Sequence, residues 1–377
     1  MWQTAEPGRL RAESATDMND SAASADALVR SAISHWAPRF VANGVNLTDF
    51  EEVTAATPQW KDWCRAWSDR AAVHERLGRE ALDQRRLLSA GEHLQRAGVY
   101  YHFASFLFVQ DVPQMKAAHQ RAVECRRLAL PHIAPPGERV EIPYEGKLLY
   151  GILRRPAGVE RPPVMVMAMG LDSTKEECDA YEQPFLARGI ATLAFDGPGQ
   201  GEGQYDFAIR GDYEVPVAAV IDAVEKRKDL DTRRVGMWGV SLGGYYAPRA
   251  TALEKRIKAC MALGGPFAWG EAWDGLPALT REAFRVRSHC ASEDEARRHA
   301  ATLSLVGVAQ NITCPIFIMN GKLDRIVPYR DAERLAREVR GPLDLMIIED
   351  GNHIANNRGY RWRPYGADWM AAQLRAA

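Results

Sequence analysis

Gly239-Val240-Ser241-Leu242-Gly243 follows the apolar run V-G-M-W-G-V and opens a segment with helical spacing. A serine at a strand-to-helix turn of this kind sits in strained backbone, with no room for side chains on either flank. Glycines at 239 and 243 relieve that crowding, and Gly244 extends the close approach. The motif by itself is a weak signal, because a serine can simply cap a helix. The strand before Ser241 and the partners after it decide for a nucleophile.

A serine hydroxyl attacks only with help from a base, and that base must be oriented by a carboxylate. In the order serine, acid, histidine, the last two belong on loops that follow late strands of a parallel sheet. Asp324 in N-G-K-L-D-R-I-V-P comes just after the strand P-I-F-I-M, and His353 in E-D-G-N-H just after L-D-L-M-I-I. Asp331 falls on the next helix, and Asp350 is too near His353 in sequence to sit across from it. Acyl transfer also needs donors for the oxyanion, each worth about 3 kcal/mol at the transition state. The backbone N–H of Leu242 is one, and that of Leu171, in Met169-Gly170-Leu171-Asp172, is the second. The glycine-rich stretch D-G-P-G-Q-G-E-G (196–203) lacks the lysine and spacing of a phosphate loop. It reads as a structural loop at the rim of the site.

These residues need a sheet to position them. Short apolar runs alternate with helical segments from Val140 onward: Val140–Tyr144 and Leu148–Leu153 as a hairpin around Glu145-Gly146, then Val164–Met169, Ile190–Phe195, Val235–Val240, Ala259–Leu263, Ile316–Met319 and Leu343–Ile348. Such alternation predicts an α/β protein with an eight-stranded, mostly parallel sheet of α/β-hydrolase type. Residues 1–22 are polar and expected to be a disordered tail. Residues 23–137 show helical periodicity without strand alternation and are expected to form an all-helical lid domain, ending in the linker P-H-I-A-P-P-G. Residues 138–377 form the catalytic domain, with a lid insertion at about 266–310.

Composition narrows the classes. The net charge is −1, and no basic stripe suggests nucleic acid. Six scattered cysteines and nine histidines show no metal-ligand spacing, so neither a metal nor a disulfide framework is expected. No apolar run is long enough to span a membrane. With charges in place of a signal peptide's apolar run, the expected location is the cytoplasm.

The segments G-L-D-S-T-K-E-E (170–177), D-G-P-G-Q-G-E (196–202), G-D-Y-E (211–214), V-S-L-G-G-Y-Y-A (240–247) and G-N-H (351–353), with A-G-V-Y-Y-H-F-A (97–104), carry a resemblance. They are similar to those of the 2,6-dihydroxypseudooxynicotine hydrolase family, carbon–carbon bond hydrolases with a helical N-terminal domain. The same motif set resembles hydrolases that shorten polyketide pigments. The resemblance implies the triad Ser241, Asp324 and His353, no cofactor, and a homodimer. It also implies a further acid after the sixth strand, for which Glu271 and Asp274 are both candidates. Trp269 and Trp273 flank them and are expected to touch an aromatic or polyketide-like substrate, with Tyr101 lining the pocket from the helical side. The expected reaction is hydrolysis of a C–C bond next to a ketone. An esterase, thioesterase or acyl-eliminating enzyme is the alternative, and a catalytically silent binding protein is disfavoured by the complete triad.

Overall fold

The computed structural model describes residues 26–377, so the expected tail over 1–22 lies outside the described residues. Among them, five α-helices precede the first strand: α1 (Ala27–Ala42), α2 (Leu47–Ala55), α3 (Trp63–Asp83), α4 (Leu87–Ser105) and α5 (Val112–Ala129). The Asp26 carboxylate caps α1 by accepting from Val29 N at 2.8 Å. Val29, Ala32, Trp36 and Phe40 then recur at three- and four-residue spacing and form its buried stripe. The sequence reads as one helical stretch from Trp60 to Leu88, but the structure breaks it at Gln84–Arg86, where Arg85 takes φ 57°. No glycine or proline marks that turn, so the pattern conceals it. α4 is enclosed, with every residue from Ala97 to Ser105 buried.

From Gly137 the chain builds an eight-stranded sheet: β1 (Gly137–Tyr144), β2 (Lys147–Arg154), β3 (Pro163–Ala168), β4 (Ala191–Asp196), β5 (Asp231–Val240), β6 (Ile257–Leu263), β7 (Ile316–Gly321) and β8 (Leu343–Ile348). The order is β1-β2-β4-β3-β5-β6-β7-β8. Glu145 and Gly146, both at positive φ, turn β1 into β2 and pair Tyr144 with Lys147. β2 joins β4 antiparallel, and every later pair is parallel. The helices between and after the strands are α6 (Asp179–Leu186), α7 (Glu214–Glu225), α8 (Gly243–Leu253), α9 (Ala278–Arg287), α10 (Glu293–Ala300), α11 (Tyr329–Glu338) and α12 (Gly359–Ala376). This is the α/β-hydrolase fold that the sequence predicts. No helix among the described residues is long and apolar enough to cross a membrane.

Side chains alternate across β3, so its two faces feed different cores. Met165 and Met167 pack with Trp238, Met261, Phe317, Trp362 and Met370. Val164, Val166 and Ala168 belong to a core that continues into Phe40, Trp63, Trp67, Tyr100, Phe103 and Phe106 of the helices. The helical region therefore shares its apolar interior with the sheet.

Buried charges also join the two. Arg39 of α1 donates to Asp172 at 2.9 Å, to Ser173 at 2.8 Å and to both oxygens of Glu177 at 2.7 Å. Asn43 donates to Glu177 as well, and His102 Nε2 lies 3.1 Å from it. Burial works against the ionised form of Glu177, but Arg39 and His102 outweigh it and hold its carboxyl far below the ordinary range. Removing one partner of such a cluster would strand a charge in low dielectric, which ties α1 to the loop after β3.

A second cluster places Lys175 Nζ 2.6 Å from Asp196, 2.8 Å from Glu176 and 2.7 Å from Glu202. His119 of α5 faces it, 3.9 Å from Glu176, with Nδ1 3.0 Å from the Tyr205 hydroxyl. Burial lowers the His119 pKa to about 4 despite Glu176. The unfolded chain, with a histidine near 6.5, then takes up a proton that the native protein refuses. Stability should fall as pH drops from about 6.5 to about 4 and level off below, by ~3 kcal/mol from this residue. In His119→Gln, which can still bond Tyr205, the pH dependence of the urea midpoint should flatten over that window. An unchanged profile would show that His119 is not the group responsible.

Candidate active site

β5 ends at Val240 and α8 begins at Gly243, so Ser241 and Leu242 make the turn between them. Ser241 adopts φ 56°, the left-handed region that an L side chain rarely enters. A Cβ on Gly239 would lie 1.9 Å from Gly243 O, and one on Gly243 2.2 Å from Ala168 O. Both glycines are thus steric requirements of the turn, as the sequence predicts.

His353 Nε2 lies 2.9 Å from Ser241 Oγ, and its Nδ1 lies 2.7 Å from Asp324 Oδ2. The other Asp324 oxygen accepts from Ile326 N at 2.8 Å and Val327 N at 3.0 Å, which fixes the carboxylate. Nδ1–H donates to the Asp324 carboxylate, which fixes the tautomer and leaves Nε2 as an acceptor for the serine hydroxyl. The His353 and Asp324 side chains are buried while Ser241 is half-buried, so access is at the nucleophile. Asp331 is used elsewhere: its carboxylate accepts from Phe267 N at 3.0 Å.

The N–H groups of Leu242 and Leu171 have no protein acceptor among the described residues. The loop carrying Leu171 packs on the nucleophile, since a Cβ on Gly170 would lie 2.9 Å from Ser241 Cβ. Gln200 holds that loop. Its Nε2 donates to Met169 O at 2.5 Å and Gly170 O at 2.9 Å, while its Oε1 accepts from the Tyr213 hydroxyl at 2.6 Å. The Gly170 carbonyl shares a peptide with the Leu171 N–H, so Gln200 orients and polarises that donor. Arg287, at the end of α9, donates to Leu171 O, and to Phe106 O at 2.9 Å. The rim loop of the sequence reading thus contains a working glutamine that a glycine-rich pattern does not single out.

The helical side meets this site through α1. The Trp36 ring stands edge-on to His353 with centroids 6.0 Å apart, and His35 faces it at 6.4 Å with planes 29° apart. Trp36 also packs against Phe106 at 6.0 Å, and the Arg39 guanidinium lies 5.2 Å over its ring. Burial and the neighbouring His353 lower the His35 pKa to about 4. Neither His35 nor Trp36 was expected here, because their helix reads from sequence as ordinary amphipathic packing.

Five substrate-site expectations are corrected. Glu271 is exposed and pairs with Arg334 at 3.0 Å, and Asp274 is exposed and pairs with Arg297 at 2.6 Å. Neither is a desolvated acid between indole rings. Trp269 and Trp273 are buried in the base of their own segment, against Phe284 at 6.2 and 5.6 Å. Tyr101 donates to Glu75 at 3.0 Å and lines a groove between α3 and α5 with Ala72, Gln114 and Arg121. Spacing marked these side chains as polar or aromatic near a lid, but it could not tell which way a short 3₁₀ segment, Trp269–Gly275, would turn them.

His119, Glu176 and Asp196 bring ligand atoms within 4.8 Å of one another, a spacing that could hold a metal ion. The Lys175 ammonium already stands beside Glu176 and Asp196 and supplies the positive charge there.

Residues 53–269 match the family described as Esterase FrsA-like, and residues 177–376 match the Prolyl oligopeptidase family. The chain is 35% identical over 334 residues to 2,6-dihydropseudooxynicotine hydrolase of Paenarthrobacter nicotinovorans, covering 88% of this chain and 90% of that one. The chain belongs to the 2,6-dihydroxypseudooxynicotine hydrolase-like family of α/β-hydrolases. It is a hydrolase. A crystal structure of 2,6-dihydroxy-pseudo-oxynicotine hydrolase aligns with a TM-score of 0.82 at 34% identity, over 90% of this chain and 96% of that one. The 20-hydroxy-prefusarin hydrolase of Gibberella moniliformis is 35% identical over 222 residues, 55% of this chain and 52% of the relative. The chain thus spans about half the length of that fungal protein.

Proposed function

We propose that this hydrolase cleaves a carbon–carbon bond adjacent to a ketone, in a β-diketone or an acyl-hydroxyarene. Ser241 is the nucleophile, His353 its base and Asp324 the carboxylate that orients the imidazole. The N–H groups of Leu242 and Leu171 receive the oxyanion. Ser241 Oγ bonds to the carbonyl carbon as its proton passes to His353 Nε2. The C–C bond then breaks, its electron pair moves into the leaving group as an enolate, and His353 returns the proton to that carbon. Water releases the acyl group from Ser241 as a carboxylic acid. Side chains and water suffice, so the reading calls for no cofactor.

What carries this reading is the Ser241–His353–Asp324 chain at 2.9 and 2.7 Å, set beneath a helix that brings Trp36 and His35 to His353. The likeness to 2,6-dihydropseudooxynicotine hydrolase supports it, because it extends over 88% of the chain and takes in the helices as well as the sheet. Residues 23–137 act in this reading as a lid, with Trp36 and His35 of α1 set against the triad histidine. A cytoplasmic homodimer belongs to the same reading, and six free cysteines suit a reducing compartment. The match to the FrsA-like esterases favours a second reading, hydrolysis of an ester or thioester by the same triad.

The two are separated by products. Incubated with 1-phenylbutane-1,3-dione, the protein should release a carboxylic acid and a methyl ketone in equal amounts. Turnover of aryl esters and thioesters with every diketone left intact would move the esterase reading ahead.

A further inference from the structure

Glu271 and Asp274 lie at the surface, so neither acid expected from the sequence serves the carbon leaving group. Yet C–C cleavage places charge where ester cleavage does not. When the bond of a β-diketone breaks, the negative charge moves off the attacked carbonyl, held by Leu242 and Leu171, onto the oxygen of the second carbonyl. A donor is needed there at that moment.

His35 is the group whose surroundings fit that task. Its ring lies 6.4 Å from that of His353, centroid to centroid, on the side covered by α1. Among the described residues its buried Nε2 has no hydrogen-bond partner. Every other ionisable side chain that reaches this face from α1 or the loop after β3 is engaged: Arg39 with Asp172 and Glu177. The charged groups facing His35 are His353, Asp324, Asp172 and Arg325. Burial and the proximity of His353 keep it neutral, with a pKa lowered to about 4. That matters because two imidazolium ions would repel each other once His353 has taken the serine proton. A neutral imidazole also keeps an N–H to donate without competing to protonate the carbon, the use of a neutral histidine as an electrophile at a developing enolate.

We propose that His35 is a catalytic residue of the helical lid, hydrogen-bonding the second carbonyl oxygen of a 1,3-dicarbonyl substrate and stabilising the enolate that leaves. The assignment rests on the C–C hydrolase reading above. In the balanced step, the electrons of the broken C–C bond form the enolate, His35 donates a hydrogen bond without losing its proton, and His353 delivers to carbon the proton it took from Ser241. The products are an acyl-serine and a ketone.

The experiment compares two substrates that pass the same acetyl group to Ser241. One is 1-phenylbutane-1,3-dione, whose leaving group is an enolate, and the other is 4-nitrophenyl acetate, whose phenolate needs no such donor. His35→Ala should lower kcat/KM for the diketone by about 10²–10³-fold, the usual cost of losing one oxyanion donor. The ester should change by no more than about threefold, which also shows that the variant is folded and its triad intact. His35→Gln, which keeps an N–H, should recover at least about tenfold of the diketone loss. Equal losses on both substrates, or an undiminished diketone rate in His35→Ala, would overturn the role of His35 while leaving the C–C reading in place. Wild-type protein that hydrolyses the ester but no diketone would overturn the C–C reading, and this assignment with it.

Discussion

Asp324→Asn is expected to lower kcat by about 10⁴-fold without unfolding the protein, the scale seen when the carboxylate of a Ser-His-Asp triad becomes an amide. The local geometry explains why fold and activity should separate. One oxygen of Asp324 accepts from Ile326 N and Val327 N, and an asparagine carbonyl can keep both bonds. The other oxygen accepts from His353 Nδ1 at 2.7 Å, and there an amide would present N–H groups instead. The imidazole would then move its proton to Nε2, which faces Ser241 Oγ at 2.9 Å and could no longer accept from it. Asp331→Asn serves as the control. Asp331 holds the backbone at Phe267, and an asparagine oxygen can do the same, so its effect should stay within about tenfold. Steady-state kinetics on both variants decides the matter. If Asp331→Asn is the damaging change and Asp324→Asn is not, the acid has been assigned to the wrong residue.

The parts of this molecule that could be read in advance are those set by local sterics and chain order. Glycines at 239 and 243 announce a turn that tolerates no Cβ, and the apolar runs before Asp324 and His353 place both at the same sheet edge as Ser241. Glu145-Gly146 marks a two-residue hairpin turn in the same way. What could not be read is set by long-range packing. Arg85 turns the chain between α3 and α4 without a glycine or proline to signal it. His35, Trp36 and Arg39 look like residues on one more amphipathic helix, and only the seating of α1 on the loop after β3 brings them to His353. The Lys175 and Glu177 charges of the G-L-D-S-T-K-E-E motif are legible as a family signature, but their physical role appears only when Asp196 and Arg39 arrive from elsewhere in the chain. The acids at 271 and 274 show the converse error. Acids and indoles adjacent in sequence suggested one substrate-facing group, whereas the 3₁₀ segment buries the indoles and leaves both acids in water beside arginines.

Everything proposed for this site depends on Ser241 being the atom that forms the acyl-enzyme. Its strained φ, its contact with His353 and its partial exposure make it the reactive hydroxyl. Removing the nucleophile of such a triad costs on the order of 10⁴-fold or more in kcat, because the base and the oxyanion donors have nothing left to act on. The most direct measurement treats the protein with an aryl fluorophosphonate, which phosphonylates an activated serine and releases fluoride. Peptide mass spectrometry then locates the adduct, and 1-phenylbutane-1,3-dione hydrolysis is followed in the same sample. One adduct per chain is expected, on Ser241, with activity lost in proportion to labelling. Ser241→Ala should take up no label and retain less than about one part in 10⁴ of the activity. An adduct on another residue, or a Ser241→Ala protein that keeps a tenth of wild-type turnover, would contradict it.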